Sequence, residues 1–138
     1  MDRMAGPARE RLTSLRNGLL RLHKCLMDSE RAAYERDIQR IRSAGEYLDL
    51  VLNDPWFSWL RDLSWLVVTI DEMLDRKESL VTSEEAERLI VQARELVAPS
   101  ENGSGFAGRY YEAMQRDAGA VLAHRDMMRV FEEVAKRA

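Results

Sequence analysis

A lone cysteine, Cys25, excludes an intrachain disulfide framework, so the fold must rest on packing. Three prolines and seven glycines are too few for a turn-rich β architecture and favour long helices. Histidine is scarcer still, with only His23 and His124. The chain has no Cys-x-x-Cys, no Glu-x-x-His at either histidine, no glycine-rich phosphate cradle and no nucleophile elbow. The usual signatures of zinc, carboxylate-bridged metal, nucleotide and hydrolase sites are therefore missing. Apolar runs such as WLVV fall far short of the roughly 20 residues that cross a bilayer. The N-terminal MDRMAGPARERL lacks an apolar signal-peptide core, so a cytoplasmic location without membrane insertion is expected.

What is present is charge and regularly spaced apolar residues. Formal net charge is −3, but residues 1–42 hold ten Lys/Arg against six Asp/Glu, and the remainder eleven against eighteen. Halves of opposite sign attract each other or orient a partner. Glu10, Asp28, Glu30, Glu35 and Asp37 dilute the basic half. Nucleic acid is thus not the expected partner, and Arg9, Arg16, Arg21 and Lys24 are the side chains that would carry it.

The segment Asp54–Asp75 is expected to be the helix around which the others pack. Asp54 suits an N-cap and Pro55 a first helical position. At helical spacing Trp56, Trp59, Leu60, Leu63, Leu66, Val67, Ile70 and Leu74 share a broad face, and Trp65 and Val68 point the other way with Phe57 between. Asp71 sits at the edge of the main face, a position that suits a carboxylate either solvated or paired with arginine. A first long helix is expected from about Ala8 to Arg42, burying Leu12, Leu15, Leu19, Leu22, Leu26, Ala33 and Ile41, with Gly18 as a soft point. A turn at Ser43-Ala44-Gly45 then leads to a short helix, Glu46–Asn53, with Leu48, Val51 and Leu52 inward.

The polar RKES closes the central helix, and Thr82 with Glu85 forms a capping box stapled by Val81 and Ala86. The next helix, Ser83–Val97, ends at Pro99. PSENGSG is a loop, after which Ser104 is expected to cap a helix over Gly105–Arg116. Asp117 begins a last helix carrying Val121, His124, Met127, Met128 and Phe131 inward. The expectation is an all-α, single-domain bundle of four main helices and one or two short ones over residues 8–138, behind a flexible tail, 1–7.

The stretches LHKCLMDSERAAYE, DPWFSWLRDLSWLVVTIDEML and FAGRYYEAMQRDAGAVLAH resemble those of a group of small, uncharacterised bacterial helical proteins, over residues 19–124. The resemblance implies a bacterial cytosolic setting. It implies no activity and no catalytic residues.

Polar groups on or near the apolar stripes are the pocket candidates: His23, Glu30, Tyr34, Asp71, Tyr110 and His124. A carboxylate placed there must be paired, hydrogen-bonded or solvated, and Arg109 is a candidate partner for Glu30. Phe57, Trp65 and Val68 are the interface candidates, because a tryptophan pointing away from its helix's core side needs a cover. The leading expectation is a non-enzymatic, homodimeric interaction protein, an adaptor or regulator, with no catalytic residue, metal or cofactor assigned. The alternative is a small-molecule or metal-binding bundle, enzymes included, whose pocket is lined by His23, Glu30, Tyr34 and His124.

Overall fold

A computed structural model describes residues 2–76 and 81–137, with side chains from Gly6 onward. The described residues are all-α and form seven helices: α1 (Asp2–Asp37), α2 (Ala44–Asn53), α3 (Pro55–Ser58), α4 (Arg61–Leu74), α5 (Ser83–Leu96), α6 (Phe106–Arg116) and α7 (Ala118–Lys136). The segment expected to end at Asp75 stops as helix at Leu74 with Asp75 as its C-cap, and Lys77 to Ser79 of the closing RKES lie outside the described residues.

The organising element is α1, not the Asp54–Asp75 segment. Its leucines repeat at helical spacing, and Leu12, Leu15, Leu19, Leu22 and Leu26 are almost inaccessible to solvent. Each contributes about 1.5–3 kcal/mol relative to exposure. At about 1.5 Å per residue, the 36 residues of α1 form a rod of roughly 54 Å, long enough to touch α3, α4, α5, α6 and α7. The stretch expected to be a tail is helical from Asp2, with Pro7 inside the helix. Gly18 is a close-packing point rather than a soft one: a Cβ there would stand 3.1 Å from Met127 Sδ and from Val130 Cγ2 of α7.

Polar ties from α1 reinforce the apolar contact. Buried Arg11 donates from Nε to the Val134 carbonyl at 2.9 Å and from Nη2 to Glu87 at 2.8 Å, joining α1 to α7 and α5. Arg16 meets Asp71 at 3.0 Å, and Arg9 donates to the Leu74 carbonyl, both on α4. Pairing with an arginine, one of the two expected states of Asp71, is thus present.

The first helix stops at Asp37, short of Arg42, and Glu35 accepts a hydrogen bond from the Ile41 amide at 3.0 Å. This turns the chain so that Ile41 is buried with Tyr34 and Phe57 in a second, smaller core. Ser43 caps α2, accepting from the Glu46 amide at 3.0 Å. Leu48 and Leu52, expected inward, are 58% and 59% exposed. The chief neighbour of α2 is short α3, and its Tyr47, Leu50 and Val51 face the second core.

The expected single helix after Asp54 is interrupted at Trp59–Leu60. Asp54 caps it as anticipated, accepting from the Trp56 amide at 2.8 Å. The Leu60 amide then bonds back to the Phe57 carbonyl at 3.1 Å, a tighter turn than the α-helix makes. The offset turns Phe57 into the second core and Trp59, Leu60 and Leu63 into the main one. Phe57, expected on the outer face with Trp65, is therefore buried.

The capping box at Thr82 and Glu85 is complete, and Val81 and Ala86 are both buried. The cap of α6 is Gly105, at φ +62°, with no side-chain bond from Ser104. A positive φ suits glycine, which has no Cβ to clash. Asp117 caps α7 by accepting from the Gly119 amide at 2.8 Å. From that start the inward stripe is Ala120, Met127, Val130, Phe131 and Val134, and Val121 faces solvent.

The loop before α6 is lashed to it by a bond from the Ser100 amide to the Ala107 carbonyl at 3.1 Å. A Cβ on Gly108 would stand 2.2 Å from the Gly103 carbonyl oxygen, whereas one on Gly45 meets nothing closer than 3.9 Å. Gly108→Ala should therefore cost about 1–3 kcal/mol in urea denaturation, and Gly45→Ala should gain about 0.4–1 kcal/mol. Equal effects of the two substitutions would contradict this packing.

Candidate functional site

The six inward polar candidates do not converge on one pocket; only Tyr110 and His124 are brought together. Glu30 is buried where α1 passes α6, between Arg116, which hydrogen-bonds to its Oε2, and Arg109, whose Nη2 lies 3.8 Å from Oε1. Arg116 also reaches Ser29 Oγ at 3.2 Å. Removing such a charge's partners is costly, since a buried ion needs opposite charge nearby. Arg116 escaped the sequence reading, although it follows Arg109 by seven residues and so shares its helix face.

Tyr34 stands apart in the second core, its ring centroid 5.6 Å from Trp56 and 5.7 Å from Phe57. The Trp56 indole donates to the Glu30 carbonyl at 3.2 Å, pinning α3 to α1. Asp71 belongs to the α1–α4 tie with Arg16.

His23 meets Ser64 of α4, with Nε2 2.8 Å from Oγ. The Ser64 hydroxyl also lies 3.3 Å from the Leu60 carbonyl, which provides a backbone acceptor for its proton. Nucleophilic serine chemistry needs the histidine as base and a third group to orient it. No bond to His23 Nδ1 is formed among the described residues. This pair links α1 to α4.

Tyr110 and His124 are the only two of the six that meet each other. The buried phenol lies 2.6 Å from His124 Nδ1. Tilted and edge-to-face ring contacts extend it: Trp59 to Phe106 at 5.1 Å, Phe106 to Tyr110 at 5.5 Å, and Tyr110 to His124 at 5.4 Å between centroids. This aromatic ladder runs from the main core to the α7 surface. Burial, and secondarily the neighbouring Cys25, pushes the Tyr110 phenol far above its ordinary pKa. Burial also lowers the pKa of both histidines.

Cys25 is half-buried, and burial, Asp117 and Asp28 push its thiol up, away from the reactive thiolate. Among the described residues no three His, Cys, Asp or Glu side chains gather to hold a metal ion. None of these helices is long and apolar enough to cross a membrane.

The outer face of α4 is the other candidate. Trp65 is 64% exposed and Val68 44%, so nothing within the described chain covers them. Beside Trp65 a groove of about 530 Å³ runs between α4 and α5, with Leu66 and Leu96 as its apolar part and Asp62, Thr69, Gln92 and Glu95 as its polar part. On α5, Arg88, Val91, Gln92 and Glu95 follow one another at helical spacing and are all exposed. The signal for this groove was the oddly placed Trp65. The α5 side had none, because polar residues on an outward face look ordinary.

No protein-family model, curated protein or solved structure matches this chain.

The two histidines supply a pH test. Each has a folded-state pKa below the ordinary 6.5, so below pH 6.5 the unfolded chain binds more protons than the folded one. Their stabilising contribution is full above that value and is lost as pH falls through the lowered folded pKa values. Denaturation midpoints should drop on acidification below pH 6.5, and His23→Gln with His124→Gln should flatten the profile in that window. An unchanged slope in the double variant would disprove the assignment.

Proposed function

We propose that the protein is a non-enzymatic interaction module that pairs with a second copy of itself through the α4–α5 face, as a homodimeric adaptor or regulator. In this reading α1, α4, α5 and α7 are the four main helices of one domain, in a bacterial cytoplasmic setting. The observation that carries the proposal is Trp65, a large apolar side chain left mostly in solvent next to a groove that it helps to line.

A projecting knob beside a hole on the same surface is self-complementary under a two-fold axis, because each copy's tryptophan enters the other's groove. Leu66 and Leu96 supply apolar contact, and the carboxylates of Asp62 and Glu95 supply acceptors for an indole N–H. Arg61, one turn before Trp65, and Arg88, one turn before Gln92, supply cations opposite those carboxylates. Burying about 800 Å² on each copy gives an interface of standard size.

Light-scattering mass over a concentration series is the direct test. The wild type should approach twice the chain mass, and Trp65→Ala should weaken dimerisation by about 30-fold or more, the effect of losing about 2 kcal/mol at a central aromatic. Circular dichroism should show the variant folded, with stability within about 0.5 kcal/mol of wild type as expected for an exposed site. A monomer at every concentration would overturn the proposal.

A further inference from the structure

A second groove, of about 500 Å³, lies between the C-terminal end of α5 and the side of α7. Its volume falls in the range of small-molecule sites, and it shares no lining residue with the groove beside Trp65. Val97, Pro99, Met128 and Phe131 make an apolar floor, with His124, Arg94 and Glu132 as the main polar groups. On α7 the positions of His124, Met128 and Glu132 succeed each other by four residues, so the first and last are about 12 Å apart along the axis. The polar groups therefore stand at two ends of an apolar strip.

At one end, His124 is held in a defined state. Burial keeps the Tyr110 phenol protonated, and His124 Nδ1, 2.6 Å away, is the only acceptor its hydroxyl meets among the described residues, so we take the phenol as the donor. Burial likewise favours the neutral imidazole. A neutral ring whose Nδ1 accepts must carry its hydrogen on Nε2. The remaining polar atom of His124 is thus a donor.

At the other end, Arg94 is fixed by a bond from Nη2 to the Phe131 carbonyl at 3.1 Å and by stacking, with its guanidinium carbon 5.4 Å from the Phe131 ring centroid. These contacts engage one of its five N–H donors. Among the described residues no carboxylate pairs with it. A positioned, unpaired guanidinium over an apolar floor suits a carboxylate. Glu132 rims the same end; its negative charge weakens the hold on one carboxylate and opposes a second more strongly.

We propose that this groove binds a small, elongated, amphipathic monocarboxylate. Its carboxylate sits on Arg94, its apolar body lies over Met128 and Phe131, and an oxygen about 10 Å away accepts the His124 Nε2 hydrogen. Tyr110 acts as a positioning residue, setting the tautomer without touching the ligand.

The test titrates the full chain with 4-(4-hydroxyphenyl)butanoate, followed by ¹H–¹⁵N NMR, against 4-phenylbutanoate and 4-phenylbutylamine. Saturable shifts should centre on Arg94, His124 and Met128 for both carboxylates, and the hydroxylated one should bind more tightly. Arg94→Gln should weaken carboxylate binding about ten-fold or more, the scale of a charge-assisted hydrogen bond. Glu132→Gln, at an exposed position, should strengthen it. His124→Phe should abolish the preference for the hydroxylated probe. No saturation by about 10 mM, preference for the amine, or weaker carboxylate binding in Glu132→Gln would each overturn the proposal.

Discussion

Burial of the leucine stripe of α1 is the constraint on which the other helices depend. A rod with one continuous apolar side cannot be covered by any single partner of 14 or 19 residues, so α4, α5 and α7 must each take part of it. Gly18 allows α7 to approach closely at Met127 and Val130. Dense contact of this kind is where stabilisation by dispersion and by water exclusion is greatest.

Arginine converts this packing into specific docking. The side chains of Arg9, Arg11 and Arg16 leave the basic first helix for acceptors on α4, α5 and α7. The charge imbalance along the chain is thus partly consumed inside the molecule, and fewer cations are left for an external polyanion. Glu30 reverses the pattern: a buried carboxylate of α1 is met by two arginines of α6. Ion pairs between separate helices favour one alignment over sliding alternatives, because misalignment leaves charges unpaired in a poorly solvated place.

Among the described residues, two surfaces combine exposed apolar side chains with a groove. On α4, Trp65 and Val68 have no cover, and between α5 and α7 the Arg94 guanidinium and the outer edge of His124 flank an apolar groove. The first has the geometry of a knob beside a hole, suited to another protein surface. The second has a narrow floor with polar ends, suited to a small molecule. The two grooves share no lining residue, though α5 borders both.

The amino-acid sequence by itself determined what depends on neighbours within a few residues. The leucine periodicity, the Asp54-Pro55 start, the Thr82–Glu85 capping box and the Asp117 boundary were legible because backbone capping and helical phase act over one or two turns. Tertiary structure decided whatever depends on how one helix is rotated against another. A tight turn at Trp59–Leu60 sent Phe57 inward, away from the outward Trp65 that helical phase had already placed, and sparse neighbours left Leu48 and Leu52 in solvent. Of the six polar candidates only Tyr110 and His124 came together, and Arg94 joined the His124 groove unannounced. Such meetings join residues as far apart as Arg11 and Val134, and no local periodicity encodes them: they follow from the one arrangement that buries the apolar faces and leaves the fewest charges unpaired.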